Sequence, residues 1–153
     1  MEITVIRPPE ENSLESTQYF GLLLSKTLTL IHMTHWYILN PNIHEILGDL
    51  YEDLDGLFDK LQEEVIGSAK LQGKPFPYFS PDCLDTENID QYKGDNVDLM
   101  ETYHKTTTKL IAILNSLEFT NYIGSVSSGL NNTKEDILSR VNKANYLLAM
   151  IHV

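Results

Sequence analysis

Apolar side chains recur along most of this chain at steps of three and four, the spacing that lines one face of an α-helix. The first such segment follows Pro8 and Pro9, takes Asn12 as its cap with Glu15 three residues on, and runs to about Ile38. Its stripe is Leu24, Leu28, Ile31 and Ile38, and His35 falls on it. Asn40 followed by Pro41 then reads as an N-cap with proline in the first helical position. The helix it opens carries Leu47, Tyr51, Leu54, Phe58, Leu61 and Val65. A turn this short makes the two helices antiparallel neighbours.

Residues 67–94 lose the period and collect Pro75, Pro77, Pro81 and several glycines, which predicts a long connection with room for one short helix. Asp95, with Asp98 three residues on, begins a third helix bearing Leu99, Tyr103, Leu110, Ile113 and Leu117. A polar, glycine-containing loop leads to Thr133, and a fourth helix runs from there through Asp136, Leu138, Val141, Leu148 and Ile151. There is no internal repeat and no low-complexity tract. Two antiparallel hairpins joined by one long crossover predict an all-α, ferritin-like four-helix bundle over residues 13–153, behind an N-terminal extension of residues 1–12.

Charge narrows the function classes. Eleven Lys plus Arg stand against twenty-two Asp plus Glu in 153 residues, a net charge of -11. Such a chain is repelled by nucleic acid and by anionic membranes, so cations are the charged partners it favours. A single cysteine, Cys83, rules out an internal disulfide framework and fits a reducing compartment. MEITVIRPPEENSLE has no basic region followed by an apolar run, and no apolar stretch reaches membrane-spanning length. A soluble, cytoplasmic protein is expected, in which the Asn131-Asn132-Thr133 sequon is silent.

A bundle of this kind does chemistry when carboxylates and histidines converge on a metal. A di-iron centre within one chain would need a Glu-x-x-His pair on each of two helices. Glu101 and His104 form the only such pair, and the first helix has no carboxylate between Glu15 and Asn40. That pair therefore reads as a coincidence on a solvated face. Asp59 and Glu63 are better organised, four apart on one face of the second helix with Asp55 one turn earlier. His44 precedes Asp59 by fifteen residues, roughly 22 Å along the axis at about 1.5 Å per residue. One chain cannot bring them together. Two antiparallel copies of the helix, related by a two-fold axis, can.

The residues His35-Trp36, PNIHE at 41–45, Leu50-Tyr51, Asp59 and Glu63 resemble the Dps family of mini-ferritins, and NKANYLLAMI resembles that family's last helix, with Tyr146 at an aromatic position. The resemblance implies a metal site of His35 and His44 from one subunit with Asp59 and Glu63 from its dimer partner. It further implies oxidation of Fe(II) to Fe(III), preferably by hydrogen peroxide, and storage of ferric iron in a hollow dodecamer built from two-fold dimers, protecting against oxidative damage. Zinc is an expected surrogate. Trp36 would pack beside the site or quench radicals, Glu45, Asp49, Glu52 and Asp53 would nucleate mineral, and Glu135 and Asp136 would line an entry pore.

Three departures shape these expectations. The family's two histidines lie about twelve residues apart, whereas His35 and His44 are nine apart. His32 does lie twelve before His44. Helix phase favours His35, which shares the stripe of Leu28 and Ile31, while His32 sits about 60° away; His32 and Asp55 stay open as further ligand candidates. Gly48 stands where many members carry a carboxylate, which points to one strong iron site and one weak one. The N-terminus carries one Arg against four acids, so the family's DNA binding is not expected here. The competing reading is a catalytically weak or inactive Dps-like structural or interaction protein, and a third is an unrelated helical protein.

Overall fold

A computed structural model of the protein describes residues 13–77, 96–126 and 128–151. Among the described residues the chain is all-α, with five helices and no strand: α1 Ser13–Tyr37, α2 Pro41–Leu71, α3 Asn96–Leu114, α4 Leu117–Val126 and α5 Ser128–Ile151. Asn12, Asp95, Cys83, the extension 1–12 and any short helix within 78–95 lie outside the described residues.

The α1–α2 turn forms as its residues dictate. Asn40 holds extended backbone (φ -74°, ψ 118°), and its Oδ1 accepts from the Asn42 and Ile43 amides at 2.9 and 3.2 Å. Those are two of the amides that a helix start leaves without a partner inside the helix. From this cap α2 runs unbroken for 31 residues, burying Ile43, Leu47, Leu50, Leu54, Phe58, Leu61 and Val65. Of the anticipated stripe only Tyr51 stays half-buried. The helix stops where Gly73 takes a positive φ of 66°, which lets the Lys74 amide turn back onto the Ser68 carbonyl at 3.3 Å.

α1 packs on α2 and on α3, while α2 packs on α5. α2 and α5 run antiparallel, since Glu64 meets Thr133 (Oγ1 donates to Oε1, 2.6 Å) and Asp53 meets Arg140 further along (3.5 Å). At the other seam the Tyr103 hydroxyl donates to Asn145 Oδ1 at 2.9 Å. α1 buries two stripes rather than one, including Ser16, Thr27 and Thr34, because it has a neighbour on each side.

Several boundaries differ from the sequence expectation. α2 continues to Leu71 instead of ending before Gly67, and α3 stops at Leu114. Leu117, expected on the core stripe of the third helix, opens α4 and is 72% exposed. Residues 118–126, expected as loop, belong with Leu117 to a fifth helix: Ser116 Oγ accepts from the Phe119 amide at 3.2 Å, and Phe119, Tyr122 and Ile123 turn into the core. The last helix begins at Ser128 rather than Thr133, with Gly129 inside its first turn. Phe76, in the connection, is fully buried among Phe20, Phe119 and Tyr122, with ring centroids 5.4, 6.1 and 5.1 Å away. This aromatic cluster closes the end of the bundle opposite the α1–α2 turn. No helix among the described residues is long and apolar enough to cross a membrane.

Two measurements test this account. Asn40→Ala should lower stability by about 1 kcal/mol in urea titration, and Asn40→Gly by only a few tenths. Burial also pushes the Tyr103 phenol well above its ordinary range. The folded state holds that proton more tightly than the unfolded one, so this stabilisation is complete below about pH 10 and is lost as pH rises further. Stability should fall above about pH 10, and Tyr103→Phe should flatten that fall while costing about 1 kcal/mol at neutral pH through the lost hydrogen bond.

Candidate functional site

The turn brings the last two turns of α1 against the first three of α2. There His35 and His44 meet as a reciprocal pair: His35 Nδ1 lies 2.7 Å from the His44 carbonyl, and His44 Nδ1 lies 2.6 Å from the His35 carbonyl. The rings stack with centroids 3.9 Å apart and planes 19° from parallel. A carbonyl oxygen only accepts, so both Nδ1 atoms carry hydrogen and donate. Each neutral ring then keeps its lone pair on Nε2, the atom that can bind a metal. This arrangement of imidazoles held through Nδ1 by backbone carbonyls is a common way to orient metal-binding histidines.

His32 goes elsewhere. Its ring stacks on Tyr51 at 3.8 Å and 16°, and it lies 4.2 Å from the ring of Trp36 and 6.0 Å from that of His35. It is His35 that reaches His44, as helix phase anticipates. Trp36 is 57% exposed beside this cluster. The acidic candidates sit further down the same hairpin. Asp55 and Asp59 rim a cleft of about 610 Å³ between α1 and α2, whose walls include Gln18, Leu22, Ser25 and Gln62. Glu63, one turn beyond Asp59, is exposed.

Histidines and carboxylates thus share the outer face of one hairpin without touching. Because α2 is unbroken from Pro41 to Leu71, fifteen residues separate His44 from Asp59 by about 22 Å. Among the described residues no three His, Cys, Asp or Glu side chains converge closely enough to hold a metal ion. Within one chain the histidine pair and the carboxylates stay apart.

The remaining candidates separate from this face. Glu101 is exposed and pairs with Lys105 at 3.4 Å, and the exposed His104 stands edge-on to its neighbour Tyr103. Asp53 pairs with Arg140, and Asp49 lies in the same groove with Arg140 and Lys143, so part of the acidic line on α2 faces cations of α5. Glu45 and Glu52 are exposed, as are Glu135, Asp136 and Tyr146; Glu135 lies 3.5 Å from the buried Lys134. Two local partnerships escaped the sequence reading. The His32–Tyr51 stack had its signal in the antiparallel register that the short turn imposes, and the Asp53–Arg140 pair could be found only once α2 and α5 were known to be adjacent.

Comparison with known proteins adds no neighbour: no family model, no curated protein and no solved structure matches the chain.

Proposed function

We propose that this chain is a divergent Dps-like mini-ferritin, which oxidises Fe(II) at a site shared between two subunits and stores the ferric product within a cage, a dodecamer by the family resemblance. One observation carries the reading. The His35–His44 pair and the Asp59–Glu63 pair lie on the outer face of the same hairpin, with His44 and Asp59 about 22 Å apart along the unbroken α2. A second copy packed face to face about a two-fold axis near Tyr51 and Glu52, midway between His44 and Asp59, would set each histidine pair against the other copy's carboxylates. The packing of α1 on α2 and α3, with α2 antiparallel to α5, supports a ferritin-like bundle in which residues 72–95 form the crossover.

In that assembly, Nε2 of His35 and of His44 and the carboxylates of Asp59 and Glu63 would bind the substrate Fe(II), a donor set suited to it. Two Fe(II) ions give one electron each to hydrogen peroxide, whose O–O bond breaks to yield two hydroxides. The imidazole lone pairs stay available because the backbone carbonyls hold both Nδ1 protons. Trp36, exposed beside the histidines, would quench an oxidising equivalent that escapes. The net charge of -11 favours cation uptake and argues against DNA binding.

A second reading, a Dps-like assembly without turnover, is favoured by one feature: the histidine pair satisfies itself within the chain and so also works as a clasp for the turn. Peroxide-driven Fe(II) oxidation, followed by the ferric absorbance, separates the two. Asp59→Ala with Glu63→Ala should slow it at least tenfold, and light scattering should find both proteins as the same large oligomer. Equal rates would contradict a ferroxidase site at these residues, and a stable monomer would contradict the shared site altogether.

A further inference from the structure

The His35 ring rests against α2 at Gly48, where that helix has no side chain to obstruct it. A Cβ built on Gly48 would lie 2.7 Å from His35 Cε1 and 3.0 Å from its Nδ1. Carbon atoms do not approach so closely, so the ring would have to move. It has little freedom to do so where it stands, being bonded to the His44 carbonyl and stacked on the His44 ring. Backbone geometry does not call for glycine at this position, since Gly73 is the only described residue with positive φ. Glycine inside a helix weakens it, and a local rule broken in this way marks a position that serves something else.

We infer that Gly48 is a positioning residue: its missing Cβ seats the His35 ring against the His44 carbonyl, and so fixes His35 as the Nδ1–H tautomer with a bare Nε2 atom beside the His44 ring. An added methyl group displaces the His35 ring and breaks its bond to the His44 carbonyl. The His44 ring then loses its stacking partner but keeps its bond to the His35 backbone carbonyl, whereas the released His35 imidazole carries its hydrogen on either nitrogen. The link from tautomer to metal uptake rests on the function proposed above; the link from Gly48 to tautomer does not. The same residue that leaves the site one carboxylate short of the family pattern thereby gives it a pre-set histidine pair.

Gly56 supplies the control, because it lies two turns further along α2 and a Cβ there meets nothing within 4 Å. Full-length Gly48→Ala and Gly56→Ala gain the same helix propensity, and only the first meets a ring. Nitrogen-15 NMR of the imidazoles should show Nδ1–H and bare Nε2 at His35 and His44 in the wild type and in Gly56→Ala, and a mixture of tautomers at His35 in Gly48→Ala. Thermal unfolding should be raised by Gly56→Ala and not by Gly48→Ala. Zn(II) binding, used as the probe, should weaken at least tenfold in Gly48→Ala alone. Unchanged tautomers in Gly48→Ala would overturn the inference. Altered tautomers in Gly48→Ala, alongside a wild type that binds no Zn(II), would support the role of Gly48 and overturn the metal reading instead.

Discussion

Everything in this molecule depends on the three-residue link between α1 and α2, capped by Asn40 and locked by Pro41. Buried stripes supply most of the energy that holds the two helices together, but burial is non-directional and does not choose their register. The cap does. With the α2 start fixed by two amides on Asn40 Oδ1, every later pairing along the hairpin follows: His44 with His35, Tyr51 with His32, and Gln62 with the Thr17 carbonyl at 2.7 Å. A link one or two residues longer would turn α2 about its axis and move His44 off the His35 ring.

That dependence explains why so much of the hairpin was legible in the sequence. Asn-Pro is a local signal whose meaning does not depend on distant residues, and the α2 stripe keeps its three- and four-residue steps without a break from Ile43 to Val65. His35 over His32 could be argued from phase alone. α4 and the start of α5 were less legible because Gly124 and Ser125 in the one and Gly129 and Asn131 in the other resemble a loop, although Phe119, Tyr122 and Ile123 carried the helical step. What decides in favour of helix there is tertiary: Phe20 and Phe76 come from elements far away in sequence to bury those side chains. Gly48 was legible only as a missing carboxylate. That the gap is filled by a histidine ring is a fact about packing, which residue spacing does not express.

The site has the same divided character. The histidine half is completed locally by backbone carbonyls, so it is ordered without a ligand or a second chain. The acidic half is a row of exposed carboxylates, Asp55 and Asp59 on an open cleft and Glu63 one turn beyond. Exposed ion pairs such as Asp53–Arg140 contribute little to stability, so this acidity is tolerated by the fold without being required by it. A histidine pair held by backbone carbonyls and an exposed acidic pair on the same hairpin are the parts that the proposed assembly would bring together. The exposed Leu22, 52% accessible beside the acidic cleft, gives that face apolar surface to bury.

Subunit mixing tests the shared site most directly. Two inactive variants, His35→Ala with His44→Ala and Asp59→Ala with Glu63→Ala, are unfolded together and refolded as an equal mixture, and Fe(II) oxidation is then measured. A site built across a two-fold interface predicts that the mixture regains about one quarter of the wild-type rate, because half of the pairs are mixed and each mixed pair holds one intact site of two. A mixture as inactive as its two components, with mixed oligomers demonstrated, would contradict it.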